Sequence, residues 1–304
     1  MTVLSIVVTS WNTREALREC LSSIRDAAGL ADYEVIVVDN NSDDGSAEMT
    51  AADFPHYSLI RNEINGGFTR ATNQGLQVCR GVYILLLNSD IVVRPGSIQR
   101  MLSLMNDNPA IGALSCRLLN SDGTPQFFCR RFPTLGTALF QNTFLERLFP
   151  RNRILSAYYM KEWKHDTFRE VDQPPASCFM VRRGVVDDVG PLDEKMFLFY
   201  SDVDWCRRIR DKGYRIFFTP DASMVHHHGV ATKKNDRAGI LWHRDRLRYY
   251  RKHFGRLAAA AIKTALFVDF LARIVELCVC RIRRRIPAGE IAHNARYFLA
   301  VMLC

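Results

Sequence analysis

The chain has 304 residues, enough for one large domain with appendages or for two, and its 48% apolar and 24% charged content is that of an ordinary globular protein. Its net charge of +9 is uneven: from Lys233 onward 16 Lys and Arg face 5 Asp and Glu, so the preceding part is slightly acidic. A near-neutral body with a basic tail excludes the evenly basic surface of a nucleic-acid binder and points to an anionic lipid surface or a protein partner.

Residues 3–8 read as a buried strand with Thr9-Ser10-Trp11-Asn12 as its polar end, and the start lacks the basic residues of a signal peptide. Asn12 or Thr13 is placed to cap a helix running to about residue 28, with Ala16, Leu17, Cys20, Leu21 and Ile24 on one face. Residues 34–38 form a second buried strand, ending in Asp39-Asn40-Asn41-Ser42-Asp43-Asp44-Gly45-Ser46. That loop is too short for an EF-hand and lacks its terminal Glu, so calcium is not expected. An acidic residue at the end of the second strand of a βαβ unit often hydrogen-bonds a nucleoside; the alternative for Asp39 is a solvated turn. Ser46 reads as the cap of a short helix, and residues 57–61 as a third strand. Asn65-Gly66-Gly67-Phe68 then opens a helix that carries Asn73. Paired glycines at a helix start allow a phosphate to approach the backbone, although the pattern is neither a Walker loop nor G-x-G-x-x-G.

Residues 82–87 are apolar without alternation, as in a strand buried on both faces, and stop abruptly at Asn88-Ser89-Asp90. The order strand, helix, strand, helix, strand, helix, strand argues for an α/β protein with a doubly wound, mostly parallel sheet. Such sheets bind ligands beyond the carboxyl ends of their strands, so Asp90 stands where a ligand is met and suits a hard divalent cation; a plain turn is the alternative.

Beyond this, Pro95-Gly96 starts a helix to about residue 108, residues 111–116 form a strand, and Asn120-Ser121-Asp122-Gly123 is a turn. Residues 127–172 are aromatic, basic and poorly periodic, an irregular or partly helical insertion suited to lining an acceptor cleft. Residues 174–181 return to strand character. A helix begins at Ser201, where Ser201 and Asp204 match a capping box; Asp202 is not needed for the cap and can serve as a general base, or simply complement the helix dipole. Residues 214–219 read as a strand, followed by His226-His227-His228, of which one can complete a metal shell with Asp90. Residues 257–280 are apolar but interrupted by Lys263, Asp269, Arg273 and Glu276, too broken to span a membrane. With the basic run at 281–285, the segment 257–285 reads as an amphipathic helix for an anionic membrane surface, or as a helix pair packed on the body or across a homodimer. Nine cysteines show no paired metal spacing; Cys20, Cys79 and Cys206 read as reduced core thiols, and a cytoplasmic location is expected, peripheral to the inner face of the plasma membrane if the tail binds lipid.

Taken together, these motifs resemble the inverting family 2 glycosyltransferases with a GT-A fold, especially the bacterial rhamnosyltransferase-like branch. The resemblance covers roughly residues 2–255, leaving 256–304 as a basic amphipathic helical tail. It implies that Thr9, Ser10, Asn12, Asp39, Asn65, Gly66, Gly67, Asn73, Asn88 and Ser89 contact a nucleoside diphosphate sugar. It implies also that Asp90, last residue of a variant D-x-D motif, and His226 hold a divalent cation, Mg2+ or Mn2+, and that Asp202 is the catalytic base. Tyr249-Tyr250-Arg251-Lys252-His253-Phe254-Gly255 resembles the family's C-terminal signature. Asn88 and Ser201 depart from the family pattern, where Asp and Glu stand. The expected reaction is transfer of a sugar, rhamnose as first candidate, from a deoxythymidine- or uridine-linked donor to a hydroxyl of a glycan or lipid-linked acceptor, in cell-surface polysaccharide synthesis. A nucleotidyltransferase and a catalytically silent carbohydrate-binding or scaffold subunit are the rival readings; the loop after the first strand lacks the Gly-rich basic character of the former.

Overall fold

A computed structural model describes residues 3–27, 32–235, 237–282 and 290–303. The first half alternates as the periodicity predicts: β1 (Leu4–Ser10), α1 (Arg14–Ala27), β2 (Tyr33–Asp39), α2 (Ser46–Asp53), β3 (Ser58–Arg61), α3 (Gly67–Val78) and β4 (Tyr83–Asn88). Next come β5 (Ile91–Val93), α4 (Ser97–Asp107), β6 (Ile111–Leu119) and β7 (Pro125–Gln126). The loosely patterned insertion holds three short helices, α5 (Leu135–Phe140), α6 (Phe144–Leu148) and α7 (Arg153–Tyr158), before β8 (Arg169–Glu170). Then follow β9 (Cys178–Arg182), α8 (Arg183–Val189), α9 (Ser201–Asp211), β10 (Arg215–His226), α10 (Val230–Lys233), α11 (Ala238–Ile282) and α12 (Glu290–Met302). Gly255, at φ 87°, puts a kink in α11.

The ten strands among the described residues join one sheet, whose main path is β3-β2-β1-β4-β9-β6-β10-β5. Strands β1 to β4 pair in parallel, and β9 runs antiparallel between β4 and β6, so β6 and its parallel neighbour β10 point the same way as β1. The sheet is therefore mostly parallel along its centre, with reversed strands inserted. Successive strand residues supply opposite faces, which is why the runs are apolar without alternation. Leu85 and Leu87 join a core with Leu17, Ile24 and Met101 of α1 and α4, while Ile84 and Leu86 join a core with Leu76, Trp205 and Ile209 of α3 and α9. Helices thus cover both faces. Register levels the strand ends: Thr9 lies opposite Asn88, and Ser10 opposite Asp39.

Two predicted caps differ. Gly45, in the left-handed region at φ 80°, holds the cap position of α2, and Ser46 is the first helical residue. Asp44 Oδ1 accepts instead, from the Ser46 N–H at 3.1 Å and its hydroxyl at 2.5 Å. At α9 the cap residue is Tyr200, also left-handed, and no side chain caps the helix. The Ser201 hydroxyl is buried without a partner, so there is no capping box; Asp204 turns the other way, toward α11. The strand expected at 214–219 continues to His226, carrying the first histidine of the triplet into the sheet.

Candidate active site

The carboxyl ends of β1, β2 and β4 open onto a cavity of about 120 Å³ lined by Thr9, Ser10, Asn65, Gly67, Asn88, Ser89 and Asp90. Those seven predicted residues come together from three separate stretches of chain. A buried hydroxyl chain sets their positions: Ser10 Oγ lies 2.9 Å from Thr13 Oγ1, which lies 2.8 Å from Ser89 Oγ. It ties the end of β1, the start of α1 and the end of β4 together.

Other predicted positions lie behind this cavity rather than in its wall. Asn12 ties two loops, its N–H donating to Ser42 Oγ and its Oδ1 accepting from the Asp43 N–H, each at 2.9 Å. Asp39 is buried; Oδ2 accepts from the Ser42 N–H at 2.9 Å, whereas Oδ1 has no partner, an orphan acceptor that a donor ligand would satisfy. Gly66 caps α3. Asn73 brackets Leu192 with both ends of its amide and donates to Glu194 Oε1, all at 2.9 Å, so it holds the loop before α9 against α3. Gly67 has φ +85°, and a Cβ there would lie 2.5 Å from the Phe197 carbonyl oxygen; glycine is required by that close approach. The first N–H groups of α3 already meet protein acceptors, Gly67 bonding Asn65 Oδ1 at 2.9 Å and Thr69 bonding Phe197 O at 3.3 Å.

Asp90 and His226 face each other because β10 pairs antiparallel with β5, placing His226 opposite Ile91. Both are buried, with His226 Nε2 3.4 Å from Asp90 Oδ1. Gln126 settles the histidine's hydrogen positions. Its amide nitrogen donates to Asn120 Oδ1 at 2.7 Å and to the His226 carbonyl at 2.8 Å. Its oxygen, 2.9 Å from His226 Nδ1, must then accept from that nitrogen. In a neutral imidazole Nε2 therefore carries a lone pair aimed at a carboxylate oxygen. Two acceptors meeting this way need a proton or a cation between them. The Val230 N–H reaches Asp90 Oδ2 at 3.3 Å. Burial works against ionisation of Asp90, but the hydrogen bond and charge of His226 and the Val230 N–H outweigh it and hold the carboxyl below the ordinary range. One carboxylate and one imidazole fit a divalent cation that takes its other ligands from phosphate oxygens; among the described residues no group of three His, Cys, Asp or Glu gathers to hold a metal alone. His227 is turned away, toward Glu19 Oε2 at 3.1 Å and Ser121 Oγ at 2.9 Å.

Asp202 lies half-buried in the wall of an adjoining cavity of about 270 Å³, with Tyr158, Gln173, Ala176 and Trp242. Phe68, Asn88 and Leu198 line both cavities, which makes them neighbours across a shared wall. Burial pushes the Asp202 carboxyl above its ordinary range. Two residues on, the fully buried Asp204 shifts oppositely. Burial opposes its ionisation too, yet hydrogen bonds from His253 and Lys252, both at 2.8 Å, and the charge of Arg208 bring it down to about 2. The insertion residues Gln141 and Tyr158 reach the Asp202 cavity from α5 and α7.

Sequence reasoning did not single out Trp11, Asn40, Phe68, Phe197, Leu198, Gly229, Ala231 or Asn235 for the first cavity. Asn40 and Phe68 sit inside motifs whose neighbours were chosen, and that adjacency was a usable signal. The segment 229–235 carries no periodic or chemical signal; it reaches the cavity because β10 ends beside Asp90.

Residues 5–190, more than half the chain, match the family described as Glycosyl transferase family 2. The chain is similar to the N-acetylglucosaminyl-diphospho-decaprenol L-rhamnosyltransferase of Mycobacterium tuberculosis (strain H37Rv), 26% identical over 252 residues, 79% of this chain and 81% of that one. It is similar also to the low-salt glycan biosynthesis hexosyltransferase Agl10 of Haloferax volcanii, 24% identical over 231 residues, 75% of this chain and 68% of that one. Among solved structures, S. aureus TarS 1-349 matches with a TM-score of 0.54 at 14% identity, covering 99% of this chain and 88% of that chain; at that identity the likeness speaks for the fold alone.

Proposed function

The chain belongs to glycosyl transferase family 2, and on that premise we propose that it moves a sugar, with inversion, from a nucleoside diphosphate donor to a hydroxyl of a lipid-linked acceptor in cell-surface polysaccharide synthesis. Membership displaces the nucleotidyltransferase reading. The observation that carries the mechanism is the pairing of two contiguous cavities, one at the strand ends with Asp90 and one holding Asp202, across the shared residues Phe68, Asn88 and Leu198. Donor in the first cavity and acceptor in the second bring the sugar carbon and the attacking hydroxyl together at that wall.

Asp202 takes the acceptor proton as attack proceeds, and its raised pKa suits a base that must hold the proton it receives. Asp39, with its unpartnered Oδ1, accepts from the nucleoside, while Thr9, Ser10, Asn65 and Gly67 enclose the donor. Asp90 and His226 would hold a divalent cation, Mg2+ or Mn2+, whose charge would neutralise the departing diphosphate. A single displacement needs one base and no covalent nucleophile. The lipid-linked acceptor and the rhamnosyl group follow the activity for which the mycobacterial relative is named.

A membrane-surface location fits this acceptor and rests on α11. The polar stripe on the second half of that helix faces the body of the protein. Asp269 accepts from the Phe144 N–H, and Glu276 pairs with Arg147 at 3.1 Å. The outward face is apolar, with Val268, Leu271, Val275 and Val279 exposed at helical spacing. Among the described residues no helix is long and apolar enough to cross a membrane, so the stripe suits a helix lying on a surface. The basic run at 283–285 lies outside the described residues. A homodimer through the same stripe is the competing use.

The test is a thermal-shift series with deoxythymidine- and uridine-linked sugars, with Mn2+ or with chelator. A bound donor raises Tm by mass action. Stabilisation by at least one donor, greater with Mn2+, is the expected result. Equal stabilisation under chelator removes the cation, and no stabilisation by any nucleotide sugar removes the transferase reading.

A further inference from the structure

Trp242 on α11 is a wall between two cavities. One is the cavity of Asp202; the other, about 560 Å³, lies between α11 and α12 and is lined by Leu266, Phe270, Phe298 and Val301. A second link runs beside it, since Gln141 lines the first and its neighbour Asn142 the other. Behind Trp242 sits Arg246, fully buried, its guanidinium carbon 4.9 Å from the indole centroid. One of its nitrogens donates to the Ala138 carbonyl; Nε and Nη1 have no partner. The adjacent Asp245 does not answer this charge, because its oxygens accept from the Leu198 and Phe199 N–H groups and pair with Arg244 and Arg248. Arg273, exposed, lines the far cavity, as does Asp269, whose Oδ1 is engaged by the Phe144 N–H. A buried guanidinium with two unmatched nitrogens is costly unless an anion meets it.

The chamber therefore offers one cation of its own, Arg273, with the charge of Arg246 behind the Trp242 indole and in the lining of neither cavity, and an apolar length along Leu266, Phe270, Phe298 and Val301. Its apolar end reaches the outward stripe of α11, for Phe298 stacks on Phe270 at 3.5 Å and touches the part-exposed Phe267 at 6.0 Å, next to Val268. We propose that this α11–α12 cavity is the subsite for the lipid diphosphate of the acceptor. The diphosphate lies beside Trp242 and pairs with Arg273, with the charge of Arg246 behind the indole, and the chain runs along Phe270 and Phe298. The sugar at the head of such a molecule then extends past Trp242 to Asp202. This assignment rests on the reading of the acceptor as lipid-linked.

Two measurements separate the two ideas. In the first, the full chain is titrated calorimetrically with geranylgeranyl diphosphate, with inorganic diphosphate and geranylgeraniol as partial probes. The whole molecule should bind at least about tenfold tighter than either part. Arg273→Gln, at an exposed position, and Val301→Trp, which fills the cavity, should each weaken it about tenfold while nucleoside diphosphate affinity stays within about twofold. In the second, kcat/KM is compared for N-acetylglucosamine carried on geranylgeranyl diphosphate and for its methyl glycoside. If the parent enzyme uses both equally, the lipid-linked reading falls. If it prefers the lipid form and both variants keep that preference, the cavity assignment falls while the reading stands. No binding of geranylgeranyl diphosphate by the parent also overturns the assignment.

Discussion

Asp204 of α9 and His253 of α11, 49 residues apart in the chain, meet at 2.8 Å and fasten the first part of the long helix to the body. Lys252 and Arg208 complete the cage around the fully buried carboxylate. Asp202, two residues earlier on the same helix, has no cation among the causes of its shift and moves the other way. One helix start thus carries a carboxylate held ionised by a cage of cations and another pushed toward its neutral form by burial, distinguished by what surrounds each.

The Asp204 cage sets an acid limit on stability. Its folded pKa of about 2 lies below the unfolded value of 3.8, so the stabilisation is fully present above about pH 4 and is lost as pH falls through 2. The shift corresponds to about 2 kcal/mol. Asp204→Asn should lower stability at pH 7 by roughly 2–4 kcal/mol, since it removes one charge from a buried cluster. Ser201→Ala should change it by less than about 0.5 kcal/mol, because the hydroxyl has no partner. Urea unfolding of both variants checks this; comparable losses would restore the capping box.

The unequal legibility of these features has a physical cause. The apolar run ending at Asn88-Ser89-Asp90 was readable because a strand buried on both faces has a local signature, and its register with β1 and β2 follows from the βαβ order. Asp202 as the carboxylate not required by a cap was also readable. Asp204 was misread because two of its three partners, Lys252 and His253, are 48 and 49 residues downstream, whereas the capping-box spacing was in plain view. The tie Asn73 makes to Leu192 and Glu194 was not legible either, because those partners lie 119 and 121 residues downstream. Which face of α11 points outward was not legible for the same reason: the pattern shows a polar side, and only the docked Arg147 and Phe144 show that this side faces the protein.

Gly67 and Gly66 should respond differently to alanine. At Gly67 a positive φ and a backbone oxygen at 2.5 Å combine; at Gly66 the nearest obstacle is the flexible side chain of Arg70. Gly67→Ala should cost at least about 2 kcal/mol and weaken nucleotide binding, because the displaced Phe197-Leu198 segment lines the donor cavity. Gly66→Ala should cost less than about 1 kcal/mol. Equal effects in thermal unfolding would mean that contact with Phe197 is not what requires glycine.

Gln126 tests the cation site without touching a ligand to it. Gln126→Leu frees the His226 ring to take the other tautomer, with a proton on the nitrogen that faces Asp90. Manganese affinity in the presence of nucleoside diphosphate should fall about 10–100-fold, as for loss of an outer partner of a metal-binding histidine. Asp90→Asn should abolish metal-dependent donor binding with the fold intact. Calorimetry showing Gln126→Leu unchanged would leave the tautomer argument without force.

The stripe of α11 predicts a lipid preference. Flotation with anionic vesicles should exceed that with neutral ones, each basic residue near the surface adding about 1 kcal/mol. Leu271→Glu and Val275→Glu, at exposed positions, should reduce flotation without lowering Tm. A monomer–dimer equilibrium abolished by those same variants, with flotation unchanged, would assign the stripe to a second copy of the chain.

Asp202→Asn separates chemistry from folding. The parent residue is held above its ordinary pKa by burial, so its ionised form at pH 7 is unfavourable to the folded state, and the neutral amide should leave Tm equal or higher. Donor and metal binding should also persist, since Asp202 lies in the neighbouring cavity. Turnover should fall by ~10²–10⁴-fold, the usual loss for a general base. The pH profile gives the sign independently. A base works only when ionised, so parental kcat/KM should fall on acidification through a pKa above the ordinary carboxylate value. That limb should be missing from the residual rate of Asp202→Asn. If the variant is as fast as the parent, or slow but with the acid limb intact, the proton goes to a different group.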